Sequence, residues 1–172
     1  MQNFRDRLET RREVRREVIE WYGLQWPRVK SELDLKEKIL LQNTRNEALK
    51  TRIAATLDDT GIYGTQGLNF IIPKDKQANL HYLLGILNSK PINYLFATKF
   101  LNLAIKAEYV KQIRIPAGTP AQQQAIVALV NEILSAKKEN PQANMREMET
   151  KIDRIVYDLY GLTSEEIEII DG

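Results

Sequence analysis

The stretch YLLGILNSKPINYLF, residues 82–96, holds two apolar runs joined by a polar hinge of Asn88, Ser89, Lys90 and Pro91. It reads as a bent pair of helices with apolar faces. Asn88 and Ser89 are residue types that cap helix ends, and the hinge is where they stand. No side chain in it is an obvious catalyst. So strong a pattern without chemistry predicts a brace: two helices packed behind whatever part of the chain does the work.

Outward from this pair the character changes on both sides. Before it, residues 36–43 (KEKILLQN), 52–58 (RIAATLD) and 68–73 (LNFIIP) are short and rich in aliphatic or β-branched residues, which predicts three strands. Between the second and third lies DDTGIYGTQG, an exposed turn with three glycines. After the pair, EYVKQIRIP (108–116) alternates in a way that predicts a further strand ended by Pro116.

Residues 3–22 place Phe4, Leu8, Val14, Val18, Ile19, Trp21 and Tyr22 on one helical face, with Arg7, Arg11 and Arg15 inside the stripe. The long stems of these arginines can pack while their heads reach water, or the row can meet a partner. Gly23 and Pro27 end this helix. At the other end, Thr119–Gln122 and Thr163–Glu166 are capping boxes. Met145, Met148, Ile152, Ile155 and Leu159 form a helical seam facing the stripe of Ile126, Leu129, Val130, Ile133 and Leu134. The expected fold is α+β: a small curved mixed sheet backed by helices, with an N-terminal connector helix and a C-terminal helical hairpin. The expected parts are residues 1–25, 26–118 and 119–172.

Composition narrows the function. The 172 residues are 43% hydrophobic and 28% charged, an ordinary globular balance. No apolar run reaches the ~20 residues of a membrane span, and the charged N-terminus is no secretory signal. The absence of cysteine excludes disulfides and thiolate metal sites and fits a cytoplasmic location; His81 alone excludes a multi-histidine site. Residues 1–115 carry 20 Lys and Arg against 13 Asp and Glu, whereas residues 116–172 carry 5 against 10. That asymmetry points the first two thirds towards an anionic partner.

Enzyme motifs fail one after another. Gly61, Gly64 and Gly67 make neither a Walker loop nor a dinucleotide fingerprint, and there is no Gly-x-Ser-x-Gly elbow. Glu149 and Lys151 match only the tail of a nuclease triad, on a helix where i and i+2 diverge. Asp58 and Asp59 read as a solvated turn. No catalytic residue and no metal site is expected, so the chain reads as a binding module. Its candidate contacts are Arg45, Asn46, Lys50 and Arg52, with Tyr63, Thr65, Gln66 and Asn69 on the glycine-rich loop. Arg and Lys can clamp phosphates or read guanine, and Asn and Gln can read adenine.

The order of segments adds a resemblance. WPR (26–28), a KIL strand, the turn Asp59-Thr60-Gly61-Ile62-Tyr63, LLGILNSKPINYLF, IRIP and TPAQQQAIVALVNEIL follow one another. Over about residues 20–172 this succession resembles the TaqI-like C-terminal specificity domain of bacterial adenine-specific DNA methyltransferases and type IIG restriction–modification enzymes. It is also similar to the target-recognition half-domains of type I specificity subunits. The resemblance implies a target-recognition domain that reads double-stranded DNA while a neighbouring domain flips and methylates an adenine. It carries over only scaffold positions: Asn88, Ser89, Lys90 and the 113–116 strand end.

The family's Asn-Pro-Pro-Tyr and glycine-rich cofactor motifs are missing. The chain therefore reads as a C-terminal fragment whose 3–22 helix contacts an upstream methyltransferase domain. S-adenosylmethionine is expected for that parent and no cofactor for this chain; endonuclease activity of the parent stays open. The loops at 43–52 and 59–67 would face DNA, with Lys99 and Lys106 flanking phosphates. The rival reading is a protein-docking module without DNA binding, which an outward-facing Met145–Leu159 seam would favour.

Overall fold

The sheet has three short strands in which β1 (Lys38–Gln42) lies between β2 (Ala55–Asp58) and β3 (Leu68–Ile71). Both pairings are antiparallel, with Leu40 opposite Thr56 on one side and Phe70 on the other. The α+β class holds; the expected mixed pairing does not, because the central β1 runs opposite to both of its neighbours. The computed structural model describes residues 2–23, 29–45, 51–64, 67–74 and 78–172. Residues 1–34 and 35–172 form two compact units. Pro27 and four of the candidate contacts, Asn46, Lys50, Thr65 and Gln66, lie outside the described residues.

In the first unit the expected helix over 3–22 is broken. α1 (Arg5–Glu9), α2 (Arg12–Arg15) and, after the described gap, α3 (Lys30–Leu33) are one-turn pieces. Isolated helices this short need tertiary packing to persist as longer ones. Here Phe4, Val18 and Tyr22 of the apolar face stay exposed. Glu17 takes a left-handed conformation, φ 57°, which stops propagation. Arg11 does not join an outward row: its guanidinium donates to the carbonyls of Leu8 (3.2 Å), Trp21 (2.7 Å) and Gly23 (2.9 Å).

The second unit is organised by the helix pair. α4 (Leu80–Asn88) begins at Asn79, whose side chain accepts from the Tyr82 amide at 3.0 Å. α5 (Lys90–Lys99) follows after one residue. α4 packs on β1 and β2, and α7 (Pro120–Glu139) and α8 (Arg146–Tyr160) pack against α4. Gly85 permits this approach, since a Cβ there would stand 2.5 Å from Ile126 Cγ2 and 3.1 Å from Val130 Cγ2. One core unites Ile39 and Leu41 of the sheet, Leu84 and Ile86 of α4, Ile126 and Val130 of α7, and Ile152 and Val156 of α8. The Met145–Leu159 seam thus turns inward.

The hinge does more than cap. Ser89 Oγ donates to Ile86 O at 2.7 Å, closing the end of α4. Asn88, expected to do the same, instead pairs with both backbone groups of Ala55: it accepts from the amide and donates to the carbonyl, each at 3.0 Å. Asn93 accepts from the Ile53 amide at 2.7 Å. Ala54 O bonds Gln42 N on β1, so residues 53 and 55 point their amides away from the sheet. Two asparagines therefore stand where a fourth strand would pair, and they close that edge. The buried Asp153 of α8 accepts from the Lys90 amide at 2.8 Å and caps α5 from outside.

The expected strand over 108–116 is α6 (Ala107–Val110) followed by irregular chain. Tyr109, Val110 and Ile113 suit a helical turn as well as an alternating strand, and nine residues cannot separate the two. The outward carbonyls are taken by tyrosines, with Tyr82 Oη donating to Pro116 O at 2.9 Å and Tyr160 Oη to Arg114 O at 2.5 Å. Burial, and then the neighbouring Tyr82, push the Tyr160 phenol up to about 12. Both capping boxes form, at Thr119 for α7 and Thr163 for α9 (Ser164–Asp171). No helix among the described residues is long and apolar enough to cross a membrane.

Candidate nucleic-acid interface

Beyond β1 the chain leaves the sheet and meets the segment after α5. Thr44 and Ala104 form an antiparallel bridge, Arg45 N donates to Leu103 O at 3.1 Å, and Ile105 N donates to Asn43 O at 2.7 Å. Asn69 on β3 ties the crossing from a third side, donating to Ile105 O at 2.6 Å and Asn43 Oδ1 at 3.3 Å. Arg52 lies beneath. It is 2% exposed and donates to the carbonyls of Arg45 (3.4 Å) and Asn102. Its Nε is buried without a hydrogen-bond partner. Arg52 thus offers no donor to a ligand in this arrangement; it is a strut between two backbone segments.

Arg45 is half-buried, with Nε to Thr51 O and Nη1 to Gln42 Oε1 at 3.2 Å. Lys99 and Lys106, far apart in the sequence from Arg45, come to the same loop. Phe100 and Tyr109 stack with centroids 4.6 Å apart and planes 14° from parallel, and Phe96 packs on Phe100 at 4.9 Å. Lys99 Nζ sits 5.2 Å from the Phe100 centroid and Lys106 Nζ 5.4 Å from that of Tyr109. The ring quadrupoles favour cations at this distance. Both lysines are exposed, so their charges remain available to solvent anions. Tyr109 first, then Glu108 (3.6 Å from Lys106), raise the Lys106 pKa above its ordinary value.

The second candidate loop begins at a buried ion pair. Lys38 Nζ and Asp58 Oδ2 are 2.9 Å apart with neither side chain more than 1% exposed. The same carboxylate accepts from Thr60 N (2.9 Å), Thr60 Oγ1 (2.8 Å) and Ile62 N (2.7 Å). Burial alone would push this carboxyl up; Lys38, the Thr60 hydroxyl and the two amides outweigh it and hold it far below the usual carboxylate range. Asp58 is therefore not the solvated turn residue its sequence context implied. It folds the turn over itself. Gly61 occupies the left-handed region at φ 83°, and Gly64 lies so close to the Phe70 ring that a Cβ would stand 2.5 Å from it. Tyr63 is carried out to 56% exposure. Side chains on a turn fixed in this way at residues 58–62 would lose little entropy on binding.

Of the nine candidates, the structure brings Arg45, Arg52, Lys99 and Lys106 to one crossing of chain segments and sets Tyr63 on a separate, ordered loop. Outside the nine candidates, the same crossing holds Phe100, Tyr109, Leu101 and Leu103; Phe100 follows Lys99 directly, and Tyr109 comes three residues after Lys106. Residues 3–116 match the family model of the TaqI-like C-terminal specificity domain. The chain belongs to that family. Membership ties this specificity domain to target recognition in restriction–modification systems. The match takes in the N-terminal arm, which the sequence resemblance set aside. It stops at Pro116, before the chain's helices α7, α8 and α9, yet α7 and α8 share a core with the matched part.

Proposed function

We propose that this chain is the DNA-reading element of a bacterial adenine-specific methyltransferase of the restriction–modification type, working in the cytoplasm. Membership in the specificity-domain family carries the proposal. The exposed lysines beside the 100–106 loop and the ordered Tyr63 loop support it. Lys99 and Lys106 would meet phosphates. Arg45, Tyr63, and Asn46, Lys50, Thr65 and Gln66 would supply base and groove contacts, while Arg52 holds their support in place. S-adenosylmethionine belongs to the neighbouring catalytic domain in this scheme. The glycines at 61, 64 and 67 do not fit it, because Gly64 is closed off by Phe70.

Fluorescence anisotropy of labelled duplexes across a salt series tests the proposal. The logarithm of affinity should fall linearly with the logarithm of salt, by about 0.9 per phosphate neutralised. The double variant Lys99→Ala/Lys106→Ala should reduce that slope by about two phosphates' worth and weaken all sequences alike. Failure to bind any duplex at about 50 mM salt sinks autonomous DNA reading.

A further inference from the structure

Leu101 is 79% exposed, more than any other large apolar side chain described, and Leu103 on the same loop is 52% exposed. Single exposed leucines need no explanation. Two of them on a loop held this tightly do. Arg52 holds the Asn102 carbonyl, Arg45 N the Leu103 carbonyl, Asn43 O the Ile105 amide, and the Phe96–Phe100–Tyr109 stack anchors the loop's base. The chain orders this loop and leaves its apolar tips in water. Lys99 and Lys106 flank those tips, and Glu108 is the acidic group beside them. Apolar tips between cations suit a polyanion with an apolar interior, and duplex DNA is one: phosphates outside, stacked bases within.

We infer that the 100–104 loop is a wedge: Leu101, supported by Leu103, enters a groove of the duplex and unstacks a base step, with Lys99 and Lys106 on the phosphates to either side. The inference rests on the DNA-reading proposal and adds a deformation to it. Arg52 becomes a positioning residue for the wedge. A braced loop is needed because a floppy one would fold away from the bases rather than part them. Sequence choice would then come partly from which base step yields most readily.

The test uses the full 172-residue chain and a duplex that it selects from a randomised pool, labelled at its two ends for energy transfer. The wild-type chain should kink the duplex by roughly 20–90°, shortening the end-to-end distance. Leu101→Ala/Leu103→Ala should bind about fivefold or more weakly, keep its salt slope, and leave the duplex straight. Both side chains are exposed, so circular dichroism melts should match the wild type. A double variant that bends DNA as well as the wild type, or a wild type that binds without bending, overturns the wedge and leaves the DNA-reading proposal standing. If no duplex is retained at low salt, that proposal falls and the wedge with it.

Discussion

Asp58 shows how one side chain can decide whether a functional loop is ordered. It neutralises a fully buried lysine, ends β2 and folds residues 59–62 over its own carboxylate. Replacing it by Asn leaves Lys38 buried and uncompensated, which should cost about 3–5 kcal/mol in urea unfolding at pH 7. The pH dependence follows from the direction of its shift. A carboxyl held below its unfolded value of ~3.9 contributes stability above that pH and loses it as pH falls towards the folded value. The gap in unfolding free energy between wild type and Asp58→Asn should therefore be full at pH 7, begin to narrow below about pH 4 and go on narrowing as the pH falls further; a gap that does not change with pH would deny the pair this role. From the sequence, Asp58 was one of two adjacent acids in a turn. Nothing local distinguished it from Asp59, because the distinguishing fact is Lys38 on the next strand.

The helix pair was legible, since its apolar runs and hinge are local properties of residues 82–96, and α4 and α5 fall on them. Its second task was not. Asn88 and Asn93 act as a makeshift strand along β2, and only the placement of α4 against the sheet makes that possible. Asn93→Ala would strand the buried Ile53 amide, at about 1–3 kcal/mol, readable as a lower denaturation midpoint. Gly85 makes a second demand on α4. Alanine is the better helix former by about 1 kcal/mol, but its methyl would collide with Ile126 Cγ2. Overpacking of this kind costs about 1–3 kcal/mol, so Gly85→Ala should lower the melting temperature; a rise would mean that α7 yields freely. The 3–22 and 108–116 segments depart from their patterns for different reasons. Over 3–22 the backbone settles on short turns and on contacts made by Arg11, with Phe4, Val18 and Tyr22 left exposed. Over 108–116 the apolar residues do reach the core, Ile113 buried and Tyr109 and Val110 packed on it, but as a helical turn and irregular chain whose carbonyls accept from Tyr82 and Tyr160.

The second unit as a whole is larger than the part that matches the family. Ile126, Val130, Ile152 and Val156 lie beyond residue 116 and close the core under α4. A chain ended after Gly118 should lose cooperative thermal unfolding and expose apolar surface to a dye such as ANS. A sharp melt in that truncated form would show that α7 and α8 are dispensable. Within the acidic C-terminal part, α7 and α8 supply core side chains, while Arg45, Lys99 and Lys106 stand at the 43–45 and 99–106 segments.

What the sequence determined by itself was the α+β class, the helix pair, three short strands, two capping boxes and the family resemblance, all of which depend on residues near one another. Tertiary structure alone decided that Arg52 turns inward to a carbonyl 50 residues away, and that Asp153 caps a helix 63 residues before it. It also decided that Asn88 binds a strand 33 residues back, and that Leu101 and Leu103 stay in water. Periodicity reports which face of a segment is apolar; the partner of each polar atom is set by where distant segments come to rest.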